Sequence, residues 1–179
     1  MQRWVFTLAM LVAVSGVTRA EEVFPPFSWD RVPVYAHLGK SSGDFTPAEL
    51  DFLAAHYDFI AIEKGQAVQT RGDTEAGIAE AVRQIKQRNP DAKVLFYWNA
   101  FLDYPLYRAS RGLPDDWHLK NRDGSPVLIR GSVPAYDLAR EDVRTWWSDA
   151  AATAVQSGGA DGVFADALLQ VAAPAKRTL

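Results

Sequence analysis

The chain has no cysteine among its 179 residues. That excludes disulfides, a thiol nucleophile, a thiolate metal site and lipid attachment at cysteine. Histidine is scarce: there are three, with neither an HExxH motif nor a spaced pair, so no metal site is expected. No Gly-rich phosphate loop follows the first apolar strand, since "LGKSSGDF" lacks GxGxxG. No GxSxG nucleophile elbow occurs either. With these motifs missing, no cofactor is expected. Lys and Arg total 19 against 22 Asp and Glu, a net charge of −3, and no basic cluster stands out. A nucleic-acid surface is therefore not expected. No apolar run reaches the roughly 18 residues that a membrane helix needs.

An export signal is present in outline. Arg3 precedes the short apolar run "WVFTLAMLVAV", and "VTRA" offers small residues for cleavage near Ala20. The expected domains are a signal peptide over 1–20, an extended leader over 21–31 and one folded domain over 32–179. The expected location is secreted or periplasmic, with no membrane contact after cleavage. Loss of Arg3 and Arg19 with the signal would move the net charge from −3 to −5. Hydrophobic residues make up 48% of the whole chain, and the part beyond residue 20 keeps enough of them for one core.

Strand and helix patterns alternate along that remainder. "VPVYAHL", "YDFIAIE", "AKVLFYWN" and "ADGVFAD" read as four strands. Between the first and second, Thr46, Pro47 and Glu49 form a helix start with capping-box spacing. A second helix spans about 73–88, and "NPD" stops it. A third begins near Arg140, turns Trp146 and Trp147 inward and ends at Gly158 and Gly159. Near-continuous apolar strands alternating with amphipathic helices predict an α/β fold with about four parallel strands under covering helices. An open doubly wound sheet and part of a (β/α)8 TIM barrel both satisfy this pattern. About forty residues separate the third strand from its helix, a length that usually carries function or structure of its own. Asp123-Gly124 within this stretch predicts a small β-hairpin.

In either layout, ligands bind at the C-terminal strand ends. His37, Glu63, Asn99 and Asp166 stand at the four ends. Period-two alternation places Leu95, Tyr97 and Asn99 on one side of the third strand, and Gly162, Phe164 and Asp166 on one side of the fourth. If these sides all face one hollow, two acids, an imidazole and an amide gather there. A charge that closes an apolar strand is costly unless it is paired or used, which makes Asp166 the lead candidate. Asp161 reads as a turn residue with Gly162. Asp137, just before the third helix, reads as a helix-start acid or a site residue. Tyr97, Trp98, Tyr104 and Trp117 offer flat rings that suit the apolar faces of sugars, with core packing as the alternative for Tyr97 and Trp98.

"VPVYAHLGK", "FYWNAFLDYPLY", "WHLKNRDGSPV", "YDLAREDVRTWW" and "GADGVFAD" together resemble TIM-barrel glycoside hydrolases of the group called hypothetical glycosyl hydrolase family fifteen. The resemblance implies a barrel, a carbohydrate substrate and a catalytic carboxylate at Asp166. Glycoside hydrolysis generally uses two carboxyl groups, and Glu63 is the second expected one. His37, Asn99, Tyr97, Trp98, Tyr104, Trp117 and Asp137 are the expected substrate contacts. A whole barrel takes about 250 residues, so the expectation is the N-terminal half of one. Its unpaired strand edges invite self-association. A non-catalytic carbohydrate-binding or scaffold protein on the same fold is the alternative.

Overall fold

The structure is a computed structural model that describes residues 24, 28–30 and 32–171. The expected export signal lies outside the described residues, as does most of the leader.

Four strands form one parallel sheet: β1 (Tyr35–Leu38), β2 (Phe59–Ile62), β3 (Lys93–Asn99) and β6 (Gly162–Asp166). Their spatial order is β1-β2-β3-β6, so each strand joins beside its predecessor. A doubly wound sheet reverses direction at a switch point, and none occurs here. Sequential order with parallel pairing is the arrangement of a partial (β/α)8 barrel. The register sets Asn99 directly beside Asp166 and His37 beside Ala61.

The helices form for local reasons visible in the chain. In α1 (Pro47–His56), Thr46 caps the Glu49 N–H while the Glu49 carboxylate accepts from the Thr46 N–H at 2.7 Å. α2 (Val68–Arg71) is a single turn ahead of α3 (Thr74–Arg88). Asp73 caps α3 by accepting from the Ala76 N–H at 2.9 Å. α4 (Glu141–Gly158) ends on Gly159 in the left-handed conformation, which glycine adopts without a side-chain clash. α1 packs on α3, and α3 on α4. Beneath them lie Ile60, Ile62, Val94, Phe96 and Trp98 from alternate strand positions, all 0–1% exposed. Each such side chain contributes roughly 1.5–3 kcal/mol on burial. Gly77 lets α3 approach closely, since a Cβ there would lie 1.7 Å from the Gln66 carbonyl oxygen.

The opposite sheet face is aromatic. Tyr35 meets Phe59 at 5.7 Å and Phe164 at 6.3 Å between ring centroids, and Phe24 covers Phe59 at 5.6 Å.

The long excursion after β3 is built rather than loose. Its expected turn at Asp123-Gly124 is present: the Asn121 N–H bonds the Ser125 carbonyl at 2.8 Å. The hairpin extends further than expected, into a meander. The segment after that turn pairs back through Lys120 and Pro126, then forward as β4 (Leu128–Ile129) against β5 (Val133–Pro134). Further bridges join His118 to Tyr136 and Leu102 to Ala135. α5 (Leu168–Val171) follows β6. Among the described residues no helix is long and apolar enough to cross a membrane.

Candidate active site

Asp166 closes β6, and three donors converge on its carboxylate. The Tyr97 hydroxyl donates to Oδ2 at 2.5 Å, Asn99 Nδ2 donates to Oδ2 at 3.2 Å, and the Ala167 N–H donates to Oδ1 at 2.7 Å. Tyr97 and Asn99 come from alternate positions of β3, and pairing with β6 brings them there. Ala167 has φ of 64°. That left-handed backbone is uncommon for a residue with a Cβ and strained relative to the right-handed region. At this position it accompanies an N–H turned back onto the preceding carboxylate. Strain of this kind at a strand tip is a pointer to function.

Glu63 stands one residue beyond β2. Its Oε2 lies 2.7 Å from His37 Nε2, and its Oε1 pairs with the Lys64 ammonium. The same ammonium sits over the Tyr97 ring at 4.7 Å and the Tyr104 ring at 4.8 Å. The His37 ring lies 5.5 Å from Tyr97 and 5.0 Å from Phe164. Tyr97 thus links the two halves, with its hydroxyl on Asp166 and its ring against His37 and Lys64. Burial above all, and then the hydrogen bond to Asp166, hold the Tyr97 phenol above its usual range. It therefore remains a neutral donor to that carboxylate at neutral pH.

His37, Glu63, Tyr97, Asn99, Tyr104 and Asp166 are brought together as one cluster at the strand tips. Two of them hold their neighbours in place. Tyr97 and Asn99 are each 3% exposed and hold Asp166 rather than offering surface to a substrate. Asn99 Oδ1 also accepts from the Phe101 and Leu102 N–H groups, fixing the start of the excursion.

Three expected substrate contacts lie elsewhere. Trp98 is a correction: it is fully buried on the helix side, stacked on Tyr107 at 4.7 Å and near Trp146 and Trp147. Strand alternation sends it away from the hollow that Tyr97 faces. Trp117 packs on Trp146 at 5.7 Å and lines a separate hollow with Arg140 and Asp149. The Asp137 carboxylate accepts from the Ala139 N–H at 3.2 Å, shaping the turn before α4. Asp161 is structural, binding Lys86 and accepting from the Val94 N–H at the other end of the sheet.

Lys64 and the Ala167 N–H were not singled out as site groups by the sequence. Lys64 follows Glu63, and alternation would send neighbours to opposite sides. The strand has ended at Ile62, so that rule no longer applies. A further acid, Asp103, is held within the meander: His118 Nε2 lies 2.8 Å from Oδ2, and the Tyr136 hydroxyl donates to Oδ1 at 3.0 Å. No group of acids and histidines suited to a metal ion occurs among the described residues.

The sheet and its covering helices are those of a partial (β/α)8 barrel, with a hydrogen-bonded carboxylate at its C-terminal strand ends. The chain belongs to hypothetical glycosyl hydrolase family 15, whose family model matches residues 86–177. It is thereby a glycosyl hydrolase family protein. Among solved structures it is similar to the GH36 α-galactosidase AgaA of Geobacillus stearothermophilus, determined in complex with stachyose. The identity is 15% and the TM-score 0.50, over 78% of this chain and 23% of that one. It is also similar to the galactosidase domain of the α-galactosidase-sucrose kinase AgaSK, at 16% identity and a TM-score of 0.47, over 74% of this chain and 20% of that one. The AgaA likeness supports the fold. The chain spans about a fifth of the length of these two matches. A comparison with curated proteins finds no match.

Proposed function

We propose that this chain carries a glycoside hydrolase site that cuts O-glycosidic bonds of an oligo- or polysaccharide, with Asp166 as its working carboxylate. The observation that carries this reading is the Tyr97–Asn99–Ala167 cradle around Asp166 at the tip of β6. Both carboxylate oxygens are engaged as acceptors. That arrangement suits a nucleophile or a base rather than a proton donor. Glu63 is the second carboxyl group that the reaction generally requires. Tyr104, partly exposed beside Lys64, supplies a ring against which a sugar can lie. The protein acts outside the cytoplasm, as the N-terminal apolar segment implies.

The test is release of reducing sugar or aryl leaving group from a panel of aryl glycosides and polysaccharides. Asp166→Asn is expected to lower the rate by about 10²–10⁴-fold, the usual contribution of a positioned carboxyl group. An unchanged rate would remove Asp166 from the chemistry. A second reading, carbohydrate binding without hydrolysis, is favoured by the double engagement of Glu63 with His37 and Lys64. It requires glycan binding by calorimetry that survives Asp166→Asn and is lost in Tyr104→Ala.

A further inference from the structure

The proton-bearing groups near Asp166 differ in what already occupies them. The Tyr97 O–H is spent on Asp166 Oδ2. The Lys64 ammonium pairs with Glu63 and lies over the Tyr97 and Tyr104 rings. Glu63 has a nitrogen at each oxygen, Lys64 Nζ at Oε1 and His37 Nε2 at Oε2. Neither oxygen is left to carry a proton to a substrate. His37 is the remaining group, with 31% of its side chain open to solvent. With Nε2 taken by Glu63 at 2.7 Å, Nδ1 is the nitrogen left for a ligand. Its ring is flanked by Tyr97, Phe164 and Tyr35. The strand ends build this pairing. The Glu63 N–H donates to the Leu38 carbonyl at 2.9 Å. Gly39 leaves room for the acid, since a Cβ there would lie 3.0 Å from the Glu63 Cβ.

We propose that His37 is a catalytic residue that gives the proton to the departing glycosidic oxygen, with Glu63 as its positioning residue. The assignment rests on the hydrolase reading of Asp166 and gives Glu63 its part in that reaction through His37. As the bond between the anomeric carbon and the glycosidic oxygen breaks, its electron pair goes to that oxygen. The oxygen takes the Nδ1 proton of the His37 imidazolium and leaves as an alcohol. Asp166, or a water that it deprotonates, makes the new bond at the carbon. In the first case a water then releases the sugar from Asp166 and returns a proton to Nδ1. In the second, Asp166 gives its proton to solvent and His37 regains one. Either way one water is consumed and two hydroxyl groups appear. Imidazole suits this task, because it gains and loses a proton most readily near neutral pH. Tyr97 touches both groups, its ring against His37 and its hydroxyl on Asp166. The charged and titratable groups facing His37 are Glu63, Lys64 and the phenols of Tyr35 and Tyr97.

The experiment compares two leaving groups on a sugar that the full chain hydrolyses. An alkyl glycoside needs a proton on its departing oxygen, whereas a dinitrophenyl glycoside does not. His37→Gln is expected to lower kcat on the alkyl glycoside about 10²–10⁴-fold and to leave the dinitrophenyl rate within about tenfold. Glu63→Gln and Gly39→Ala are expected to show the same split at smaller size. A merely structural role would lower both rates together. Equal losses on the two substrates, or none on either, would overturn the assignment and leave Asp166 in place. Nitrogen NMR of the wild-type histidines needs no variant to fold. The neutral His37 ring should carry its proton on Nε2, and a proton on Nδ1 would also overturn the assignment. A wild-type chain that hydrolyses no glycoside would remove the hydrolase reading itself, and the role of His37 with it.

Discussion

Three consecutive aromatic residues on β3 have two fates, and the difference is one of phase. Phe96 and Trp98 point beneath the helices, while Tyr97 points to the hollow and reaches Asp166. Period-two alternation already contains that division. Once Asn99 and Tyr97 are placed on the hollow side, Trp98 must lie on the other, and its aromatic character is no argument for sugar contact. Trp98→Ala is expected to cost about 3–5 kcal/mol of stability, the range for removing a large aromatic from a core. Urea unfolding measures it. A cost below about 1 kcal/mol would mean that the ring is not a core element. Tyr104→Ala, at a half-buried ring packed against both apolar clusters, should cost less than Trp98→Ala, within the roughly 0.5–3 kcal/mol of an ordinary point change. What the sequence does not convey at this scale is Ala167. Its backbone conformation follows from the turn between β6 and α5, and no residue type announces it.

At the scale of elements, the strands and main helices were legible because their signals are local: capping boxes, periodicity and stop residues within a few positions. The excursion after β3 was legible only at its Asp123-Gly124 turn. Its attachments are long-range. Glu75, in the first turn of α3, reads as an ordinary helix-start acid. In the fold it is 8% exposed, and its carboxylate accepts from the Arg108 and Ala109 N–H groups at 2.9 Å each. Nearby, the Thr74 N–H binds the Leu106 carbonyl and the Tyr107 hydroxyl binds the Tyr97 carbonyl. Together these place the aromatic start of the excursion, Tyr104 included, beside the strand tips. Glu75→Ala leaves two part-buried backbone donors without acceptors, at roughly 1–3 kcal/mol each. The expected result is a stability loss of about 2–6 kcal/mol, together with faster proteolysis between Leu102 and Asp116 than at α3. Unchanged cleavage there would mean that the excursion is held by its meander alone.

For the molecule as a whole, the layout and the N-terminus are connected through one contact. The sequence left an open sheet and a partial barrel in competition, because periodicity reports which residues are buried and not which strands are neighbours. The sequential order β1-β2-β3-β6 decides for the partial barrel and gives the sheet an inner aromatic face. Phe24 lies on that face against Phe59. An export signal cleaved after Ala20 keeps Phe24 in the mature chain, whereas cleavage a few residues later would remove it. The ring itself remains 65% exposed, so its contribution is a fraction of the roughly 1.5–3 kcal/mol of a fully buried aromatic. Cleavage after Ala20, the position expected from the sequence, leaves Glu21 as the mature N-terminus, read by N-terminal sequencing or intact mass of protein recovered from the periplasm or medium. Recovery of a chain still beginning at Met1 would overturn the export reading. A start beyond Phe24 would show instead that the inner face is covered without it.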